Sequence, residues 1–166
     1  SYMVPSFTTV TTLANISVVA GGAITQAAGG VVQSAAATSA SFNAGGGITL
    51  IDPANNFTGT VTATGPATQI TDTNALTAVL TTTGSTVLVA GGNLVVSGGV
   101  SGATSDLSTT TTAGGTTAFG ATTVGQNLSV TSAGAVSQTG ALTVAGSTGI
   151  NAGPNAITLT VATNNF

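Results

Sequence analysis

Short alternating segments recur along the whole chain and constrain its fold more than any other feature. In a strand, side chains point alternately to two faces, so the first and third residue of each triplet are predicted to face inward. Successive strand starts lie only about 7–10 residues apart, which is too short for helical crossovers. Glycine pairs between them supply turns. The pattern predicts an all-β fold. The triplets are Ile16-Ser17-Val18, Ile48-Thr49-Leu50, Val61-Thr62-Ala63, Val87-Leu88-Val89, Leu94-Val95-Val96, Leu128-Ser129-Val130, Leu142-Thr143-Val144 and Ile157-Thr158-Leu159.

An internal repeat narrows the architecture. Two related copies span residues 15–57 and 127–166, offset by 112 residues at their start and by 109 at their end. The first copy therefore carries three extra residues, near the stretch 29–40. The two copies keep the order of their elements but differ in length. This is typical of stacked coils whose loops tolerate insertions. The matched segments are Asn15–Gln26 with Asn127–Gln138, Phe42–Gly45 with Ile150–Gly153, Ile48–Leu50 with Ile157–Leu159, and Asn55–Phe57 with Asn164–Phe166.

These features together predict a parallel β-helix, or β-solenoid. At roughly 20 residues per coil, the chain would form about eight coils stacked at about 4.8 Å each. Residues 15–166 are assigned to the solenoid, and residues 1–14 to an N-terminal segment, a candidate strand for joining two subunits. The alternative is a β-sandwich of the kind found in pilin-like fibre subunits. Such a fold favours Asn-Gly or Asp-Gly hairpin turns, and the sequence contains neither dipeptide.

The charge inventory excludes several classes of function. The chain has no Lys, Arg, His or Cys, and its three acidic residues are Asp52, Asp72 and Asp106. Binding of nucleic acid needs cations that neutralise phosphates, and most enzymes need a titratable acid or base. We therefore expect no catalysis, no cofactor and no nucleic-acid partner. We also expect no membrane insertion, because no apolar run approaches 18 residues. We interpret the scattered aspartates as solvated turn residues and not as calcium ligands.

The repeat motifs resemble those of very large bacterial secreted proteins, the filamentous-haemagglutinin-type exoproteins and autotransporter adhesins. The resemblance covers residues 15–61 and 93–166. It implies a right-handed parallel β-helix exported to the cell surface, with a role as adhesin, stalk or extracellular fibre. Host or surface glycans are a candidate class of partner. The motifs that carry it are Asn127-Leu-Ser-Val130, Gly134-Ala-Val-Ser-Gln138, Ala141-Leu-Thr-Val144, Ile150-Asn-Ala-Gly153, Ala156-Ile-Thr-Leu159, Asn164-Asn-Phe166 and Asn56-Phe-Thr-Gly59.

The two ends of the chain carry the candidate contact residues. A β-helix has open strand edges at both ends, and neither terminus shows a charged or proline-rich cap. The tail stops at a motif that the earlier copy continues through Thr58–Val61, and Phe7–Val10 resembles that continuation. We therefore expect either head-to-tail association of copies or covalent stacking on neighbouring repeats of a longer chain. The candidate contact residues are Tyr2, Phe7, Val10, Asn164, Asn165 and Phe166.

A second hypothesis from the sequence is a threonine-rich surface that binds ice or carbohydrate. The triplets Thr60-Val-Thr62, Thr62-Ala-Thr64 and Thr71-Asp-Thr73 suit such a face, although they do not recur at one coil spacing. Three segments match the N-glycosylation pattern, at Asn15, Asn56 and Asn127, and two of them, Asn15 and Asn127, occupy equivalent repeat positions. This recurrence indicates structural turn asparagines.

Overall fold

The computed structural model describes residues 6–11, 15–33 and 39–166. Within these ranges the regular structure consists of β-strands. The described residues form no helix long and apolar enough to cross a membrane. In chain order the strands are β1 Ser6–Thr11, β2 Ile16–Ala20, β3 Ile24–Gln33, β4 Ser39–Ala44, β5 Ile48–Leu50, β6 Thr60–Gly65, β7 Thr68–Asp72, β8 Leu76–Thr82, β9 Thr86–Ala90, β10 Leu94–Val100, β11 Leu107–Thr111, β12 Thr117–Val124, β13 Leu128–Thr131, β14 Val136–Gln138, β15 Leu142–Val144, β16 Thr148–Asn151 and β17 Ile157–Thr158.

The strands form two parallel sheets that share the turns of one solenoid. The first sheet has the order β1-β3-β5-β7-β9-β11-β13-β16, and the second has the order β17-β14-β12-β10-β8-β6-β4-β2. Strand β15 pairs with the second half of β12. The predicted β-solenoid is thus confirmed, with about seven turns instead of eight. Turn length varies, since paired residues lie between 17 positions apart (Val61 and Ala78) and 24 apart (Ile16 and Ala40).

The core lies inside the turns, where inward side chains stack from one turn to the next. Phe42 and Phe57 are both 1 % exposed and pack edge to face, with ring centroids 6.0 Å apart. Most predicted triplets have their first and third residues inside, as in β5 and β15. Two triplets depart from this pattern. At 157–159, Ile157 is exposed and Leu159 is only partly buried. At 87–89, Leu88 is the buried residue and Val87 is exposed. All three residues at 87–89 are apolar, so hydrophobicity alone does not determine which of them face inward.

The two repeat copies occupy opposite sheets. In the first copy, β2 belongs to the second sheet and β3 to the first, whereas the matching strands β13 and β14 belong to the first and second sheets respectively. The copies are thus separated by an odd number of half-turns. Since both sheets are parallel and buried on their inner faces, the same sequence pattern fits either one.

Buried hydroxyl groups in β11 give a matched test of the packing. Thr109 and Thr111 both face inward and are 1 % and 3 % exposed. The Thr109 Oγ1 has no hydrogen-bond partner among the described residues. By contrast, the Thr111 Oγ1 donates to the Gly115 carbonyl at 2.6 Å and accepts from the Ala133 N–H at 3.0 Å.

The substitution Thr109→Val is expected to raise the free energy of unfolding by about 1 kcal/mol, because it removes a buried hydroxyl without a partner. Thr111→Val, two residues along the same strand, should lower it by about 1–3 kcal/mol, because it leaves the Ala133 N–H without its partner and removes the shorter of two hydrogen bonds to the Gly115 carbonyl. Urea unfolding of the two variants beside the parent protein measures both changes. Equal destabilisation by the two substitutions would contradict this account.

Candidate functional site

The last turn of the solenoid is held by a reciprocal pair of side-chain amides. The Gln138 Nε2 donates to the Asn164 Oδ1, and the Asn164 Nδ2 donates to the Gln138 Oε1, each at 2.7 Å. The same Asn164 Oδ1 accepts the backbone N–H of Leu142 at 2.9 Å. Asn164, one of the predicted contact residues, is therefore bound within its own chain and fixes the path of the tail.

The first repeat copy contains the same arrangement. The Gln26 Nε2 donates to the Asn55 Oδ1 at 2.5 Å, and the Asn55 Nδ2 donates back to the Gln26 Oε1 at 3.2 Å. The Asn55 Oδ1 also accepts the Val32 N–H at 2.9 Å, and the side chain is fully buried. The sequence analysis missed this pair as a contact. Its signal was present, since the repeat alignment places a glutamine and an asparagine at equivalent positions in both copies.

Three apolar side chains of the last turn are more exposed than their counterparts in the first copy. Phe166 is 54 % exposed, whereas its counterpart Phe57 is 1 % exposed. Ile157 is 49 % exposed, while Ile48 is 1 % exposed. The third side chain, Leu159, is only partly buried. We call Ile157, Leu159 and Phe166 the C-terminal apolar patch.

The first copy shows what covers this patch when another turn follows. The Phe57 N–H donates to the Asp72 Oδ2 at 3.2 Å. The Thr73 N–H donates to the Asn55 carbonyl at 2.8 Å. The Asn74 Nδ2 donates to the Asn56 Oδ1 at 2.8 Å. The next turn therefore supplies hydrogen-bond partners to Asn55, Asn56 and Phe57.

The remaining predicted contact residues lie elsewhere. Asn165 continues the chain beside β15, where its carbonyl accepts the Val144 N–H at 2.7 Å. Phe7 and Val10 belong to β1, whose backbone pairs with β3 at the opposite end of the first sheet. Tyr2 lies outside the described residues. The N-terminal and C-terminal candidates thus belong to opposite ends of one stack.

The three aspartates differ in their surroundings. Asp52 forms a local turn by accepting the Ala54 N–H at 2.9 Å. Asp106 accepts both the backbone N–H and the side-chain Nδ2 of Asn127, at 3.0 Å each. The interpretation of all three as solvated is wrong for Asp72, which is only 1 % exposed. Within the described ranges, His, Cys, Asp and Glu form no group of three that could hold a metal ion.

Burial raises the pKa of Asp72 to about 6, although hydrogen bonds from the backbone N–H groups of Asn74, Phe57 and Thr73 favour its charged form. The position follows from strand geometry. Ile70 faces inward in β7, so the residue two positions further along the strand faces inward as well. The carboxylate thus binds the N–H groups of two successive turns from inside the solenoid.

Turn asparagines connect successive turns at the point where strands begin. The Asn127 Oδ1 accepts the Ser147 N–H at 3.0 Å, and the Asn15 Oδ1 accepts the Ser39 N–H at 3.3 Å. Asn93 does the same for Thr116 at 3.0 Å. The prediction that Asn15 and Asn127 are structural turn residues is confirmed.

Stacked parallel turns with amide and hydroxyl contacts between them define a β-solenoid repeat protein. The chain belongs to the family described as repeats of unknown function (DUF5649), whose model matches residues 5–64 and 104–166. These two matches contain the two copies found in the sequence. No curated protein and no solved structure matched this chain.

Proposed function

We propose that this chain is a structural part of an extracellular fibre or adhesin on a bacterial surface, and that it stacks end to end with copies of itself. The observation that carries the proposal is the contact between successive turns, in which parallel strands of both sheets pair and the next turn supplies partners to the Phe57 N–H and the Asn55 carbonyl. Both sheets also end in strands with an unpaired edge among the described residues. Such edges are templates for further strands.

The composition supports a structural role. A net charge of −3 on 166 residues gives little of the electrostatic repulsion that keeps proteins monomeric. Glycosidases use pairs of carboxyl groups about 5–10 Å apart. Here Asp72 is buried, and Asp52 and Asp106 are each engaged in turn contacts. The resemblance of the repeats to secreted bacterial exoproteins supports the location at the cell surface.

Purified protein at micromolar concentration is expected to form rods several times longer than the single solenoid of about seven turns. Electron microscopy and analytical ultracentrifugation measure this length. Phe166→Asp should reduce the assembly strongly, because a charge would have to be buried at the joint. Ile51→Asp is the matched control, since Ile51 is 52 % exposed on a turn between β5 and β6. Dispersed rods of single-chain length in the parent protein would refute the proposal.

A second candidate function is binding of an ordered ligand, ice or carbohydrate, by the outer face of the second sheet. The structure adds an observation in its favour, because the row Thr60, Thr62 and Thr64 on β6 is in register with Thr77 and Thr81 on β8. On the other side, Ser39 and Ser41 of β4 align with Thr60 and Thr62. The result is an uncharged face rich in hydroxyl groups, interrupted by Val79 opposite Thr62 and by Asn43 opposite Thr64. A thermal-hysteresis measurement on unassembled protein distinguishes ice binding from a purely structural role.

A further inference from the structure

The end-to-end joint is specified in more detail by the internal repeat. We infer that β1 of a second copy pairs in parallel with β16, with Thr11 of that copy directly opposite Gly149. This inference rests on the proposed function, and it adds the identity of the pairing strands and their register. The occupant of the C-terminal apolar patch is accordingly the first turn of another copy.

The choice of strands follows from the sheet order. β1 and β16 are the two terminal strands of the first sheet, and β2 and β17 are the terminal strands of the second. Placing the first turn of one copy on the last turn of another therefore continues both sheets at once. The established interface between successive turns of this chain has the same form, with parallel strands in both sheets.

The C-terminal half of the register comes from β4. The repeat alignment matches Phe42 with Ile150, so Ser41 corresponds to Gly149. In the first copy Ser41 pairs with Thr62 of the following turn. The two strands also orient equivalent residues in the same way. Phe42 is buried and Ile150 packs against the core, whereas Ser41 and Gly149 lie on the outer face.

The N-terminal half of the register comes from the resemblance between Phe7–Val10 and the segment that follows Asn56. Val10 corresponds to Val61, so Thr11 corresponds to Thr62. In this register Val10 takes the place of Val61, which is fully buried. A slip by one residue would put Thr11 in that inward place, and inner-face positions strongly specify register for this reason.

Cysteine cross-linking tests the register in a chain that contains no cysteine of its own. Directly opposed residues of parallel strands lie about 4.8 Å apart, within the range that a disulfide spans. The variant Thr11→Cys/Gly149→Cys is therefore expected to oxidise to a covalent ladder of dimers and higher multimers. Positions 11 and 149 lie at opposite ends of the solenoid, so a bond within one chain is sterically excluded.

The matched control is Thr11→Cys/Asn151→Cys, which moves one cysteine two positions along β16 on the same face. The two Cα atoms would then be about 8 Å apart, beyond disulfide reach. Non-reducing electrophoresis should show at least a tenfold larger cross-linked fraction for the first variant. An equal or reversed ratio overturns the register. Ultracentrifugation of the same reduced samples separates the two claims, because rods without the expected cross-link leave the proposed function standing, whereas monomers refute both.

Discussion

Raising the pH from 4 to 7.5 is expected to lower the free energy of unfolding by about 2 kcal/mol. The pKa of Asp72 is about 6 in the folded protein and 3.8 in the unfolded chain. Between these values the folded state holds a proton that the unfolded state has released, so stability falls as the pH rises. Each pKa unit corresponds to about 1.4 kcal/mol. Urea unfolding at the two pH values measures the difference.

The pH dependence is unusually easy to assign in this chain. It has no Glu, His, Lys, Arg or Cys, and Asp72 is the buried one of its three aspartates. The variant Asp72→Asn should therefore unfold with almost the same free energy at pH 4 and pH 7.5. Asp52→Asn, a change in an exposed turn, should keep the slope of the parent protein. A parent protein that is more stable at pH 7.5 than at pH 4 would contradict the buried state of Asp72.

The alternation of the sequence predicts much of the fold, because a flat sheet with one buried face imposes a period of two. The triplet at 48–50 shows this best, since Ile48 and Leu50 are inside and Thr49 lies between them. Where every residue of a triplet is apolar, the neighbouring strands determine which of its residues face inward. Leu88 faces inward because its strand is paired between Ile70 of β7 and Thr109 of β11, both of which face inward.

Other features of the candidate site could not be predicted from the sequence, because they depend on how the turns stack. The repeat alignment identifies Gln138 and Asn164 as recurring residues, but their amides meet only because a full turn of chain returns to the same corner. The exposure of Phe166 relies on the same fact, since a side chain at the end of a stack has a neighbouring turn on one side only. The alignment also could not predict that the two copies lie in opposite sheets, because this depends on how many strands separate them.

Asp72 shows how a local interpretation fails against tertiary context. Its sequence neighbours Thr71, Thr73 and Asn74 are typical of a solvated turn. Pairing of β7 with β9 continues through Asp72, opposite the buried Ala90, and so keeps the carboxylate inside. Backbone N–H groups then replace part of its hydration, which is the condition for burying a carboxylate at an acceptable free-energy cost.

Stacked glycines at the corners of the solenoid set the distance between turns. A Cβ atom built on Gly125 would lie 2.1 Å from the Gly102 carbonyl oxygen, and one built on Gly102 would lie 2.1 Å from the Thr83 carbonyl oxygen. Carbonyl oxygens of the backbone cannot move aside as the end of a flexible side chain can. At this corner the Gly125 N–H also donates to the Val100 carbonyl at 2.7 Å, which ties the two turns together.

Gly125→Ala is therefore expected to lower the free energy of unfolding by about 3 kcal/mol or more, because overpacking against a fixed backbone must separate turns that share ladder hydrogen bonds. Gly99→Ala is the matched control. Its Cβ would meet nothing within 4 Å, and its φ lies outside the left-handed region. The control should be neutral or stabilise the fold by up to about 1 kcal/mol, since alanine restricts the unfolded chain. Thermal unfolding of both variants measures the contrast, and a Gly125→Ala protein as stable as the control would show that these corners do not set the spacing of the turns.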